Sequence, residues 1–204
     1  MTDGVARPAS RIMLVRHGRS AHAVREGWLD AAGVHRWRED YDAAGIDSAS
    51  EPPRALVDES AGADVIVASD LARAIASAEK LAGGRAVRVS PLLRESHLDI
   101  PTWLPARWPL TAWGIAIHLQ WLARLARGIS IHPAEVKRVS GAADWLDEML
   151  REHRRIVVVT HGVFRRLLGL ELVARGWTAE RRVSGYQHWS VWPYRLPGKE
   201  GSSS

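Results

Sequence analysis

Arg11-Ile12-Met13-Leu14-Val15-Arg16-His17-Gly18-Arg19-Ser20 is the stretch that decides how this chain is read. A run of β-forming apolar residues stops at Arg-His-Gly, so a buried strand delivers a cation, an imidazole and a flexible turn to one edge of a sheet. The pattern returns at Arg155-Ile156-Val157-Val158-Val159-Thr160-His161-Gly162, where an apolar strand again ends in His-Gly before a helix-like segment. In α/β proteins, ligands sit outside the carboxyl ends of parallel strands, so two such ends would set His17 and His161 in one crevice. Either histidine alone reads as an ordinary loop residue. Agreement of residue type and placement at both strand ends is what joins them.

The segments between alternate strand and helix. Residues 64–68 read as a strand, followed by a helix capped at Ser69 or Asp70 and running to about Leu81. Arg73 falls in its first turn, where a side chain points back over the helix start toward the same sheet edge as His17. Gly83-Gly84 precedes a short strand at 86–89, and Pro91 opens a loop carrying Glu95. This order predicts a three-layer α/β/α fold with a mostly parallel central sheet. Helices are expected at 20–28, 30–44, 110–127, 144–153 and 163–175, the second with Val34, Trp37, Tyr41 and Ala44 on a core stripe. Pro133 precedes the fourth helix, and Gly141 interrupts the segment leading into it. Residues 47–53 read as a loop. A strand is expected at 186–192, with Pro193 marking an edge strand or its end.

Residues 1–10 read as a disordered lead, 11–196 as a single domain and 197–204 as a flexible tail. Within the domain, 97–131 is a helical lid or cap segment in which Trp103, Trp108, Trp113 and Trp121 fall among Pro101, Pro105 and Pro109. Either those indoles pack on the body, or they form a lid, Trp103 and Trp108 foremost, that selects an apolar or aromatic substrate group.

Composition narrows the function classes. With 46% hydrophobic residues, the 204-residue chain can bury a substantial core. It has no cysteine, which removes disulfides and thiolate metal sites. The N-terminal residues lack an apolar signal core and no apolar run is long enough to span a bilayer, so a cytoplasmic location without a membrane partner is expected. A net charge of +5 and a pI near 10.2 invite nucleic-acid binding. However, lysine occurs only at 80, 137 and 199, and the 25 arginines that make up the rest of the 28 are scattered, with no recognised binding motif. No nucleic-acid partner is expected. Nor is a metal: His17 and His22 lie five apart, and no His-Glu-x-x-His occurs.

Four elements, Arg16-His17-Gly18, Ser69-Asp70-Leu71-Ala72-Arg73-Ala74, Leu93-Arg94-Glu95 and His161-Gly162, stand in that order within residues 11–168. Together they resemble the histidine phosphatase superfamily, the phosphoglycerate-mutase-like proteins. The resemblance implies that His17 accepts a phosphoryl group, that Arg16, Arg73 and His161 hold its oxygens, and that Gly18 lets the backbone come close. It also implies that Glu95 supplies and recovers a proton, although Glu79 and Asp99 are carboxylates nearby. Crowding by arginine would favour the neutral, nucleophilic form of His17. The implied reaction is hydrolysis of a small-molecule phosphate ester, without a cofactor.

Two departures bear on the substrate. Many relatives continue Arg-His-Gly-x-Ser/Thr-x-x-Asn, whereas this chain has Ala23. Many also follow the acid with Gly-x-Trp-Glu-Gly, whereas here Ser96-His97-Leu98-Asp99-Ile100-Pro101-Thr102-Trp103-Leu104 follows. With no compact basic cluster to hold a second anionic group, these losses favour water over a mutase's second substrate position as the acceptor. The alternative is a catalytically weak or inactive family member that binds a phosphorylated ligand or partner. The sequence carries no sign of oligomeric state.

Overall fold

The computed structural model describes residues 9–22, 27–96, 98–101, 107–127, 132–180 and 185–198. Strand β1 (Ser10–Arg16) sends Ile12 and Leu14 to one face and Met13 and Val15 to the other, all buried, so both faces of its sheet must be covered. After it come β2 (Trp28–Leu29), α1 (Ala31–Ala43), α2 (Arg54–Ala61), β3 (Val65–Ser69), α3 (Ala72–Ala82) and β4 (Val87–Ser90). A 3-10 turn (Pro91–Leu93) leads to β5 (Trp108–Pro109), α4 (Leu110–Ala126), α5 (Pro133–Met149), β6 (Arg155–Thr160), α6 (Gly162–Ala174), β7 (Thr178–Ala179) and β8 (Val191–Leu196).

Six strands form one sheet in the order β4-β3-β6-β1-β8-β7. The first four are parallel, while β8 runs antiparallel to β1 and β7 antiparallel to β8. One face packs on α5 and α6 through Val139, Leu146, Phe164 and Leu168. The other packs on α2 and α3 through Leu56, Ala74, Ala78 and Leu81. The result is a three-layer α/β/α fold. A separate cluster of Val34, Ile100, Trp113 and Ile117 joins α1 to α4 beside the layers. Among the described residues, no helix is long and apolar enough to cross a membrane.

Several elements differ from their sequence expectation. In place of a helix at 20–28, Ser20 forms an antiparallel bridge with Ile46, and β2 pairs with β5 as a two-stranded ribbon; residues 23–26, including Ala23, lie outside the described residues. Helix α2 was not anticipated. Gly141 does not interrupt α5, because the helix buries Val139, Ala142, Ala143, Leu146 and Met149, which outweighs the ~1 kcal/mol an interior glycine costs. Residues 185–190 are a turn, not strand, and Pro193 sits inside β8 between two strands. Its carbonyl accepts from Glu180 N at 2.9 Å, on the side of the two-residue β7, so the missing N–H falls where that short strand has already ended. Of the expected lead 1–10, Ser10 instead opens β1 and is buried against the sheet, while residues 1–8, most of the tail (199–204) and parts of 97–131 (97, 102–106 and 128–131) lie outside the described residues.

Helix α6 approaches β8 closely at Gly169, where a Cβ would lie on the Tyr194 hydroxyl and 3.0 Å from the ring carbon bearing it. Gly169→Ala should therefore cost about 1–2 kcal/mol in urea denaturation, overpacking outweighing alanine's better helix propensity. Adding Tyr194→Phe should recover part of the loss. An unchanged midpoint in Gly169→Ala would mean the ring moves aside freely.

Candidate active site

Strand pairing brings the two imidazoles together. β1 and β6 are adjacent and parallel with Arg16 opposite Thr160, so His17 and His161 leave the same edge one residue later. His17 N donates to Thr160 O at 3.0 Å, and the rings lie 5.0 Å apart, centroid to centroid. Both are essentially without solvent contact, at 1% and 0% exposure. The turn into β8 wraps the end of β1: Trp189 N donates to Arg16 O and Arg16 N to Ser190 O. That turn brings in His188, which no sequence motif marked, with its ring 5.4 Å from that of His17. Its Nδ1–H donates to His17 O at 3.2 Å.

The local bonds select a tautomer. Gly18 O lies 2.6 Å from His17 Nδ1 and can only accept, so Nδ1 carries the proton and Nε2 keeps its lone pair. Gly18 is itself held by its N–H donating to Ser77 Oγ at 2.8 Å, while that hydroxyl donates to Arg73 O. A Cβ at position 18 would come within 2.6 Å of the Trp189 ring, so glycine is required here by packing.

Two guanidinium groups flank the rings. Arg73, in the first turn of α3, is fully buried. Its Nη1 donates to Tyr41 O at 2.8 Å and its Nη2 to Asp42 Oδ1 at 2.9 Å, with the Tyr41 ring 4.4 Å from the guanidinium carbon. Arg16 donates from Nη1 to Tyr186 O, and its Nε lies over Gly162, where a Cβ would sit 3.6 Å away. Among the described residues, Arg16 Nε, Arg73 Nε and both ring nitrogens of His161 are buried without a hydrogen-bond partner. Buried polar atoms are nearly always paired, so these four nitrogens around two imidazoles are available to an anion.

Glu95 reaches the same edge from the loop after the 3-10 turn. Thr160 Oγ1 donates to Leu93 O at 2.7 Å, and Arg138 Nη1 donates to Leu92 O and Arg94 O, fixing that loop to β6 and α5. Glu95 Oε1 accepts from Ser96 N, Val163 N and Phe164 N at 2.9, 3.2 and 2.9 Å, capping α6 directly beyond His161. Oε2 remains for other work. Of the rival carboxylates, Glu79 lies on α3, and Asp99 pairs with Arg124.

A cavity of about 310 Å³ has Arg73 and Glu95 in its wall together with Trp37, Tyr41 and Trp113. A second, of about 690 Å³, is bordered by Arg16, Arg19, His22 and His188. Trp108, expected in a lid, instead pairs with Leu29 in the ribbon and lines neither cavity. It is held there by backbone pairing, whereas the indoles facing the cavities come from α1 and α4. Trp103 lies outside the described residues. The α1 stripe expected in the core is mostly cavity wall: Val34 is buried, but Trp37 and Tyr41 are only half-buried. Among the described residues, no group of three or more His, Cys, Asp or Glu side chains could hold a metal ion.

The sequence model of the histidine phosphatase superfamily (branch 1) matches residues 12–195. The chain belongs to that superfamily. No curated protein matches it by sequence. Solved structures similar to this superfamily member include mycobacterial hydrolase 1, at 19% identity and TM-score 0.56, covering 92% of each chain. Mycobacterial glucosyl-3-phosphoglycerate phosphatase follows at 22% identity and TM-score 0.55, covering 92% of this chain and 90% of the other. Phosphoserine phosphatase from Entamoeba histolytica aligns at 17% identity and TM-score 0.52, over 94% and 98%.

In this superfamily member, burial first, then the Arg73 and Arg16 charges, push the His17 imidazole well below its ordinary 6.5, against an opposing contribution from the Gly18 bond. Burial, followed by His17 and the same two arginines, does likewise for His161. Both rings are thus neutral when folded but take up protons near 6.5 when unfolded. The unfolded chain then binds more protons below that pH, so stability falls as pH drops from about 7 toward 5, by up to ~1.4 kcal/mol per pH unit for each ring. Comparing urea denaturation of wild type and His17→Asn at pH 7.5 and 5.5 should show a shallower decline in the variant. Parallel declines would mean that His17 is not held neutral.

Proposed function

We propose that the protein is a phosphoric monoester hydrolase of the histidine acid phosphatase type, acting on a small phosphorylated molecule through a phosphohistidine at His17. The observation that carries this reading is the set of buried nitrogens, partnerless among the described residues, around an imidazole whose Nδ1–H is pinned to Gly18 O. They suit a tetrahedral anion held in line with Nε2.

In the first half-reaction the His17 Nε2 lone pair attacks phosphorus and the bond to the ester oxygen breaks. Arg16 and Arg73 share the charge of the phosphoryl oxygens through their Nε–H groups, and His161 adds a further contact. With Oε1 committed to the α6 amides, Glu95 delivers the proton for the leaving oxygen from Oε2. In the second half-reaction a water gives its proton to Glu95 and attacks phosphorus. The phosphorus–nitrogen bond then breaks, its electrons return to Nε2, and orthophosphate leaves. Through both steps the Gly18 carbonyl keeps the ring aligned and stabilises the charge it acquires on phosphorylation.

His17→Ala should lower turnover of 4-nitrophenyl phosphate by at least about 10³-fold. Acid quench of the wild type during turnover should trap an acid-labile, base-stable phosphoenzyme that the variant lacks. Chelators should leave the rate unchanged. Equal turnover in wild type and His17→Ala would overturn the proposal.

A further inference from the structure

The cavity of about 310 Å³ that shares Arg73 and Glu95 with the proposed site is walled by Val34, Trp37 and Tyr41 of α1, Trp113 and Ile117 of α4, and Leu98. Small-molecule sites commonly start near 300 Å³, enough for one ring with its linker. Several of the polar groups on these walls are already engaged by the fold. The Trp113 indole N–H donates to Leu29 O at 2.7 Å and Arg38 Nη2 to Leu98 O at 3.0 Å. His118 Nδ1 donates to Gly114 O at 2.7 Å, and the Ser96 hydroxyl is bonded to Glu135. A polyol entering here would leave water for a surface with few open partners, whereas an apolar ring would lose nothing.

The cavity shares residues with the proposed site. In that reading Arg73 belongs to the phosphate clamp and Glu95 to the leaving oxygen, and both line the cavity together with Trp37 and Trp113, so the group attached to that oxygen borders it. From this geometry, and resting on the phosphatase reading above, we propose that the cavity receives the alcohol portion of the substrate and that the enzyme prefers phosphate monoesters of apolar or aromatic alcohols over those of sugars and other polyols. Trp37 and Trp113 are then the specificity-determining side chains.

The test compares esters whose leaving groups are chemically matched primary alcohols, so that intrinsic reactivity drops out: 2-phenylethyl phosphate, ethyl phosphate, glycerol 1-phosphate and glucose 6-phosphate. The expected kcat/KM for 2-phenylethyl phosphate exceeds those of the two polyol esters by at least about tenfold, mostly through KM. Gly114 borders the cavity, and a Cβ there meets no atom within 4 Å, so Gly114→Leu fills the space without disturbing the core. It should reduce the ratio of kcat/KM for 2-phenylethyl phosphate to that for ethyl phosphate by at least about fivefold. Polyol esters turned over as well as 2-phenylethyl phosphate, or a ratio unmoved by Gly114→Leu, would overturn this inference while leaving the phosphatase reading intact. If the wild type hydrolyses 4-nitrophenyl phosphate but none of the four esters, this inference falls and the phosphatase reading stands; if it hydrolyses neither, both fall.

Discussion

Parallel pairing of β1 with β6 is the constraint on which the remaining structure depends. Arg11 through Arg16 lie opposite Arg155 through Thr160 without a break, and the apolar residues of both strands are buried on both faces. A slip of one residue would turn every side chain of one strand to the wrong face, so the register is strongly held. The same register sets His17 and His161 side by side. Neighbouring strands complete the edge: β3, on the other side of β6, leads into Arg73, and β8, antiparallel to β1, begins there with the turn bearing His188 and Trp189. The site is therefore assembled by strand order, with little contribution from long loops.

What has been gathered there would be costly as an isolated assembly. Two guanidinium groups face two imidazoles in a space nearly closed to water, and burial of unpaired charge is among the most unfavourable events in folding. The imidazoles avoid the problem by staying neutral. Arg73 is compensated by Asp42, Tyr41 O and the face of the Tyr41 ring. Arg16 meets the Tyr186 carbonyl, and no carboxylate pairs with it among the described residues. The Nε atoms of both arginines are left without a partner among the described residues. Under the proposed reading, that imbalance is what a phosphoryl group relieves.

Much of this could be read from the chain because strand and site coincide in it. Val157, Val158 and Val159 announce a strand, and the abrupt His161-Gly162 announces its end, so fold and candidate chemistry came from one pattern. Arg73 was legible for a similar reason, standing in the first turn after a second apolar run. His188 was not, because Tyr186 to Trp192 looks like a continuous aromatic strand, and only tertiary bonds from Arg16 and to Ser190 reveal the turn. Trp189 adopts φ +62°, a conformation no local propensity would suggest for tryptophan. Arg165, whose Nη1 donates to both Ser190 O and its hydroxyl, holds that turn from α6, and a buried arginine on an otherwise apolar helix face left no signal in the sequence. Asp42 was likewise invisible: its role exists only because α1 docks against α3.

Helix α1 shows why a hydrophobic stripe can be misread as plain core. Trp37 and Tyr41, one turn apart, stack at 5.1 Å with their planes 17° from parallel, and the His22 ring lies edge-on beside both. The stack ends on the Arg73 guanidinium, whose Nη atoms are bound by the same turn of helix through Tyr41 O and Asp42. Those bonds hold the Arg73 Nη atoms on α1 and leave its Nε without a partner among the described residues, while Trp37 and Tyr41 also line the cavity that Glu95 borders. One helical face thus holds the guanidinium that the proposed reading assigns to the phosphate clamp and lines the space next to it. Grip on the phosphoryl group and choice of the attached alcohol are in that case coupled through α1, and a change to either ring shifts both, whereas the nucleophile, fixed by the sheet edge and the Gly18 carbonyl, stays where strand pairing puts it.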